Sequence, residues 1–524
     1  MDNINNNNQR YQVAVDLGTS KISLAVAKSE GESKKVLYYN VVESVGMSDG
    51  EIMVPKKVRE VVKELIRDAE KDLNIVITHV AVGLPRCYIR KEQTSVSIPR
   101  NESNSEITNE ELNFLAEQAE SEFNNNNNSD ERVFETIAQS FNTPDYIQIS
   151  PDNIVGMIGS SLTGHYINYI GHKRIADQIR SVFDDLNISV TNQYFVPTVT
   201  AKTVLSADEM EEGVALVELG AGVSSVSIFK DKVLKHYASI PFGGKIITKD
   251  IRSECGITLQ LAENIKKAYA GCIPDEPTSW NEKILLVNTN HSTDIEIPVK
   301  TLCEIVADRQ AEIINALLYG IQESGEMHNL KKGVVLIGEG SKLLQIKDLF
   351  SKMSGYNVRL GEIRINFDTT DFVNIRKVGA EAICGILMQA HNDGFQYAIE
   401  KPKEEAADTM VGPTEEIPGN TTTVMTGNTP EIIAGKSNDE NPQDKTTEQG
   451  PTQEEHKDKS NRQNVGKEGT NDQTGESKKE TPPGQGSKED DTKKGNHRKG
   501  FSAWISDGLN GIFEKYNEST KEKV

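Results

Sequence analysis

The sequence has few cysteines, a shortage of basic relative to acidic side chains, and no long apolar run. Its five cysteines are scattered and show no Cys-x-x-Cys spacing, which argues against a disulfide framework or a cysteine zinc site and favours a reducing compartment. With 58 basic and 79 acidic residues, the net charge is −21. We therefore expect no nucleic-acid partner, because phosphate attraction needs clustered Lys and Arg.

Membrane insertion is not expected from the apolar content. No apolar run approaches the roughly 20 residues that cross a bilayer, and residues 1–8 lack the basic and apolar regions of a signal peptide. A chain of 524 residues is long enough for several domains. We expect a cytosolic protein unless another segment carries it to a membrane.

Two segments far apart in the chain repeat one pattern. Val13–Lys21 reads Val-Ala-Val-Asp-Leu-Gly-Thr-Ser-Lys, and Val214–Gly222 reads Val-Ala-Leu-Val-Glu-Leu-Gly-Ala-Gly. Each predicts an apolar strand that ends in an acid, then a glycine turn, then a second strand. A single glycine turn is ordinary, but two copies with acid and glycine in register suggest two related lobes that face one nucleotide.

Four glycine-bearing elements predict a phosphate site, because glycine lets backbone N–H groups approach phosphate without a Cβ in the way. Asp16 and Glu218 are predicted to hold a hydrated Mg²⁺ from opposite lobes, since this ion keeps several waters and takes few carboxylates. The other candidate nucleotide-binding residues are Gly18, Thr19, Ser20, Lys21, Gly220, Ala221, Gly222, Gly243, Gly244, Gly338 and Gly340. Each is commonplace alone.

Glu263 and Lys266 lie three residues apart in a predicted helix. That spacing places both on one helix face, where they are candidates to flank a ribose or base. Taken alone, such a pair more often has no functional role.

Strands and helices alternate over residues 11–397, which predicts an α/β fold. Residues 85–161 interrupt the alternation and are predicted to form an inserted small domain, after which the strand 164–171 is expected to resume the α/β pattern. Beyond Glu400 the composition turns to Lys, Glu, Thr, Gly and Pro. Such a segment cannot bury enough apolar surface to offset its ordering entropy, so we expect disorder.

Apolar residues return near the C-terminus at helical spacing. An aromatic face beside upstream Lys and Arg residues is typical of a helix in a membrane interface. The alternative is a helix docked on the protein's own core, but a long charged segment separates it from any core. The candidate membrane residues are Phe501, Trp504, Ile505, Leu509, Ile512 and Phe513.

These motifs resemble those of the actin, Hsp70 and sugar-kinase superfamily and, within it, the FtsA family of actin-like bacterial cell-division proteins. Asp16–Lys21 stands at the first phosphate motif, Val214–Ser225 at the second and Val334–Gly340 at the adenosine motif. Glu263 and Lys266 match the pair that brackets adenosine in relatives, and Gly379 begins the last connecting helix. The resemblance covers residues 11–397 and the extreme C-terminus.

The resemblance implies a two-lobed actin-like ATPase fold with an inserted 1C-type subdomain, a disordered C-terminal linker and a terminal amphipathic helix. The implied order is a disordered N-terminus (1–10), subdomain 1A in three parts (11–84, 162–205 and 374–397), subdomain 1C (85–161), subdomain 2A in two parts (206–257 and 325–373), subdomain 2B (258–324), the linker (398–496), the membrane-targeting helix (497–517) and a tail (518–524).

The function that the resemblance implies is a scaffold that binds ATP with Mg²⁺, polymerises with copies of itself and anchors the tubulin-like protein FtsZ to an anionic membrane. It would act as a peripheral protein on the cytoplasmic side of the bacterial inner membrane at the division septum, and would recruit later division proteins. One rival is a sugar or metabolite kinase, for which we identify no carboxylate base. Another is a PilM-like pilus-assembly adaptor, which lacks this tail.

Departures from the motifs of hydrolysing relatives predict slow or absent ATP turnover. Val196 and Ser225 stand where such relatives carry acids, and Glu339 replaces a glycine of the adenosine motif. Loss of carboxylates near the γ-phosphate removes groups that position the attacking water. We therefore expect ATP binding to survive, and we assign no catalytic residue.

Overall fold

The computed structural model describes residues 9–100, 105–126, 130–275, 284–287 and 295–401. Of the N-terminus expected to be disordered, Gln9 and Arg10 belong to the first strand instead. Residues 1–8, most of the expected linker and the whole expected membrane helix lie outside the described residues.

The first half of the chain forms a five-stranded sheet and a separate three-stranded sheet. In chain order its elements are β1 (Gln9–Leu17), β2 (Lys21–Glu30), β3 (Ser33–Glu43), β4 (Met47–Ser48), β5 (Glu51–Ile52), α1 (Pro55–Leu73), β6 (Ile75–Ile77), β7 (His79–Gly83), β8 (Arg90–Pro99), α2 (Asn109–Asn126), β9 (Glu131–Asn142), β10 (Ser161–His172), α3 (Lys173–Asp184), β11 (Ser189–Tyr194) and α4 (Val196–Val204).

The second half of the chain forms another five-stranded sheet with helices around it. Its elements are α5 (Ala207–Glu212), β12 (Val214–Leu219), β13 (Ser224–Lys230), β14 (Val233–Ile240), α6 (Gly244–Cys255), α7 (Leu259–Tyr269), β15 (Ile284–Val287), β16 (Ile295–Pro298), α8 (Val299–Glu323), β17 (Val334–Ile337), a 3₁₀ turn (Glu339–Lys342), α9 (Ile346–Ser354), β18 (Val358–Leu360), a second 3₁₀ segment (Thr370–Arg376), α10 (Glu381–Asn392) and β19 (Ala398–Glu400).

The two five-stranded sheets share one topology. The first has the strand order β3-β2-β1-β7-β11 and the second β14-β13-β12-β17-β18. In each, three successive strands form an antiparallel meander, and two further strands add in parallel beside the first of them. The predicted mixed α/β fold is confirmed, and the two acid-glycine segments occupy equivalent places in the two sheets.

Helix α1 shows how the apolar spacing places the core. Pro55 begins the helix, where its missing N–H costs nothing, and Asn74 ends it in the left-handed conformation at φ 53°. The apolar residues at helical spacing are buried against the first sheet; these are Val58, Val62, Leu65, Ile66 and Ala69.

The three-stranded sheet, with the order β8-β10-β9, lies within the region predicted as an insert. The strand expected at 164–171 to resume the α/β pattern is part of β10, which pairs with β8 and β9 instead. A local sequence pattern can predict that a segment is a strand, but it does not identify the strand with which that segment pairs. For this reason the pairing of β10 with β8 and β9 was not predicted. The subdomain boundaries themselves stay predictions.

Two left-handed residues limit helices near the end of the chain. Gln345 adopts φ 63° and separates the 3₁₀ turn from α9. The last connecting helix, expected to begin at Gly379, begins at Glu381, since Gly379 has φ 99°. Left-handed residues interrupt helical hydrogen bonding in both cases.

Gly333 makes the second sheet sensitive to a single methyl group. It has φ 71°, and a Cβ there would lie 2.1 Å from the carbonyl oxygen of Asn357. We expect Gly333→Ala to lower the free energy of unfolding by about 3 kcal/mol or more, through backbone strain and a clash that flexible side chains cannot relieve. Denaturant-induced unfolding followed by circular dichroism measures this.

Gly325 is the matched control for Gly333. It has φ 75°, and a Cβ there would meet nothing within 4 Å. Gly325→Ala should therefore cost only about 1 kcal/mol for the left-handed backbone. Equal losses for the two variants would contradict the assigned clash.

Candidate functional site

The first acid-glycine turn joins β1 to β2. Gly18 donates from its N–H to the Lys21 carbonyl at 2.9 Å, and a Cβ at Gly18 would lie 2.8 Å from that same oxygen. This tight turn therefore needs glycine. Asp16 ends the strand just before it and is largely buried.

The second turn, between β12 and β13, repeats this geometry. Gly220 donates to the Val223 carbonyl at 3.0 Å, and a Cβ on Gly220 would lie 2.4 Å from that oxygen. The two turns meet directly: a Cβ on Gly222 would lie 2.7 Å from Oγ1 of Thr19. The structure thus brings both acid-glycine hairpins together.

The other glycine elements surround the second turn. The N–H of Gly244 donates to the carbonyl of Gly220 at 2.9 Å, and that of Lys245 to the carbonyl of Ala221 at 2.8 Å, so the N-terminus of α6 abuts this turn. A Cβ at Gly243 would lie 2.4 Å from the Gly220 oxygen. Leu219 is the residue before this turn. A Cβ at Gly338 would lie 2.7 Å from the Leu219 carbonyl oxygen, and a Cβ at Gly340 would lie 2.8 Å from it.

The Lys21 side chain extends from the first turn to Glu339, which lies in the predicted adenosine motif. Its Nζ lies 3.1 Å from Oε1 of Glu339 and donates to the carbonyl of Gly379 at 2.7 Å. The residue beside it, Ser20, accepts a backbone hydrogen bond from Ser44 at 3.0 Å. Lys21 therefore lies in the same cluster as the four glycine elements.

Asp16 and Glu218 are brought together as predicted, and a guanidinium lies between them. Nη2 of Arg86 donates to Oδ1 of Asp16 at 3.0 Å, and Nε lies 3.2 Å from Oε2 of Glu218. The exposed fractions of the Arg86, Asp16 and Glu218 side chains are 14%, 11% and 22%, so all three are mostly buried. Burial disfavours the charge on Arg86, but the two carboxylates outweigh it and raise the pKa of Arg86 above its ordinary value.

The predicted magnesium arrangement does not fit these residues as they stand. A hydrated Mg²⁺ needs carboxylate oxygens that face water-filled space, whereas Arg86 contacts one oxygen of each predicted ligand. Across the described ranges, no group of three or more His, Cys, Asp or Glu side chains is placed to hold a metal ion. In the structure these two carboxylates form an ion-pair triad with Arg86.

Glu263 and Lys266 lie on α7 and pair with each other at 2.7 Å. Lys266 also donates to the carbonyl of Gly244 at 2.9 Å and to Oγ1 of Thr248 at 2.7 Å, which ties α7 to the start of α6. Glu263 additionally pairs with Lys267 at 3.1 Å. The pair is thus connected to the glycine cluster through Gly244, with its charges already satisfied; a role toward a base or ribose stays a prediction.

Glu263 should make the protein less stable at low pH. Burial disfavours its ionised form, but hydrogen bonds from Lys266 and Thr248 outweigh burial and lower the pKa of Glu263 from 4.5 to about 2. A depressed pKa in the fold gives stability that is present above pH 4.5 and lost as the pH falls toward 2. We expect the stability advantage over Glu263→Gln to shrink across that window, measured as melting temperature against pH.

A suitable control for the pH dependence is Glu254→Gln, which alters an exposed side chain of α6. Its difference from the unmodified protein should stay small throughout. A Glu263→Gln difference that does not change with pH would contradict the assigned ion pair.

The candidate membrane residues, Phe501 to Phe513, lie outside the described residues. In the part of the chain that the structure describes, every helix is too short or too polar to cross a bilayer.

Comparison with known proteins finds similarity to the FtsA family. A model named for cell division protein FtsA matches residues 215–378. The FtsA of Enterococcus hirae is 26% identical over 348 residues, covering 66% of this chain and 77% of that protein. The FtsA of Escherichia coli K12 is 23% identical over 361 residues, covering 67% and 84%. The chain is similar to FtsA proteins over about two thirds of its length.

Among solved structures, the chain is similar to the PilM-PilN type IV pilus biogenesis complex. The match covers 72% of this chain and 98% of that chain, with a TM-score of 0.49 and 13% identity.

The sequence motifs identified the glycine turns, but no motif identified Arg86. It lies three residues beyond the end of β7, a strand that runs parallel to β1. Parallel neighbours end at one edge of a sheet, so the loop after β7 must emerge beside Asp16. That topology is the only signal by which the sequence could have indicated Arg86.

Proposed function

We propose that this chain is an ATP-binding, actin-like scaffold of the FtsA family that polymerises and anchors FtsZ filaments to the inner face of the cytoplasmic membrane. The observation that carries the nucleotide part is the meeting of two equivalent acid-glycine turns, one from each five-stranded sheet, at Thr19 and Gly222. Backbone N–H groups at such turns suit phosphate oxygens.

The nucleotide would lie against the glycine cluster, with its phosphates at the two turns. Lys21 and the start of α6 are next to those turns, and the adenosine end would lie toward Glu339 and α7. Turnover would be slow, because Val196 and Ser225 are buried and neither supplies a carboxylate for the attacking water.

The three-stranded sheet is proposed to make polymer contacts or to recruit later division proteins. Its own apolar cluster, formed with α2, gives it a core separate from those of the large sheets. Contact with FtsZ is proposed for residues 258–324, where the family carries it. Membrane attachment would come from residues 497–517 through the linker 398–496, at the division septum.

A titration with a fluorescent ATP analogue, combined with a phosphate-release assay, tests the nucleotide part of this proposal. We expect saturable binding with turnover far below the ~10 s⁻¹ median for enzymes. Turnover near that median would favour a kinase or motor-like role, and absence of binding would refute the nucleotide site.

A further inference from the structure

Arg86 lies in a loop whose backbone is anchored to both five-stranded sheets. The carbonyl of Arg86 accepts a hydrogen bond from the hydroxyl of Tyr237 on β14. On the side of the first sheet, the N–H of Leu84 donates to the carbonyl of Tyr194 on β11 at 2.8 Å. Cys87, which follows Arg86 in the chain, is buried. The loop therefore holds the Arg86 guanidinium between the sheets.

The Arg86 guanidinium also has one buried N–H donor that makes no hydrogen bond. Nε of Arg86 is buried and lies 3.2 Å from a Glu218 oxygen, yet it makes no hydrogen bond of acceptable geometry. A buried N–H without a well-placed acceptor is destabilising. A ligand oxygen at this position would remove that destabilisation, and the planar guanidinium suits phosphate in particular.

Further cations stand around the two turns. Besides its link to Gly379, Lys21 pairs with Glu339, and Nζ of Lys245 donates to the carbonyl of Thr19 at 2.8 Å. Burial lowers the pKa of Lys245, so an anionic ligand there would favour its charged form. Three cationic side chains, those of Lys21, Arg86 and Lys245, thus stand beside the two turns.

We propose that Arg86 takes the place of a divalent cation in the nucleotide site, so that a nucleoside di- or triphosphate binds without Mg²⁺. This inference rests on the proposed nucleotide function. In it, Asp16 and Glu218 position Arg86 instead of holding a metal, and the Arg86 guanidinium donates hydrogen bonds to phosphate oxygens. Removing Arg86 would leave two facing carboxylates, which is an arrangement that Mg²⁺ prefers.

The test compares binding of a fluorescent ATP analogue to the full chain in EDTA and in excess Mg²⁺. For the unmodified protein we expect the two dissociation constants to agree within about threefold. For Arg86→Gln we expect binding to weaken by about tenfold or more in EDTA and to recover when Mg²⁺ is added. Arg90→Gln, which alters an exposed arginine paired with Glu131, should behave like the unmodified protein.

The outcomes separate this inference from the function on which it rests. Strong binding by the unmodified protein in Mg²⁺ but a tenfold or greater loss in EDTA would overturn the role of Arg86 while the nucleotide function stands. No binding in either condition would overturn both. The EDTA comparison on the unmodified protein needs no variant, so it decides the question even if Arg86→Gln does not fold.

Discussion

Replacing Trp504 with glutamate is expected to release the protein from anionic vesicles. The apolar spacing from Phe501 to Phe513 predicts a helix lying in the membrane interface, with Trp504 on its apolar face. A charge on that face would have to enter the acyl boundary, which is strongly unfavourable. We expect the fraction pelleted with anionic liposomes to fall by about tenfold, whereas ATP-analogue affinity should not change.

The control for the membrane prediction keeps the same charge on the opposite face of the helix. Asn510→Glu adds a carboxylate where helical geometry predicts exposure to water. It should lose only about 1 kcal/mol of attraction to the anionic surface. If Trp504→Glu pelleted as well as the unmodified protein, the terminal helix would have to be assigned to docking on another protein surface.

Asp16→Ala is expected to weaken ATP-analogue binding by at least about tenfold, or ~1.4 kcal/mol. Asp16 ends β1 at the first turn and accepts a hydrogen bond from Arg86 at 3.0 Å. Without it, the guanidinium keeps only Glu218 as a partner and loses the orientation in which it would meet phosphate. Fluorescence anisotropy of the analogue measures the change.

The control for the Asp16→Ala variant is the same substitution at another acidic residue, Asp68. Asp68 on α1 is half-exposed and contacts its neighbour Arg67, so Asp68→Ala should bind nucleotide like the unmodified protein. Melting temperatures of both variants separate lost affinity from lost folding. A folded Asp16→Ala protein with undiminished affinity would remove Asp16 from the site.

Local patterns predicted what local chemistry decides. The repeated acid-glycine segments gave both turns, because glycine is required wherever a Cβ would strike the chain a few residues on, as at Gly18 and Gly220. The apolar face of α1 likewise follows from its 3.6-residue spacing. The mixed α/β fold follows from the alternation of such elements.

Long-range pairing was beyond the sequence. Alternation in 164–171 indicated a strand, yet its partners β8 and β9 depend on packing that no local pattern encodes. Arg86 has no motif of its own, and only the parallel pairing of β1 and β7 brings it to Asp16. Similarly, the spacing of Glu263 and Lys266 placed them together, but not in the ion pair that already satisfies both.

The most direct test of the proposed scaffold is sedimentation of purified FtsZ filaments with anionic vesicles, ATP and the full chain. We expect FtsZ to float or pellet with the vesicles only when the chain is present, and to stay behind when Trp504→Glu replaces it. FtsZ that remains unattached to the vesicles while the unmodified chain is bound to them would contradict the proposed anchoring function.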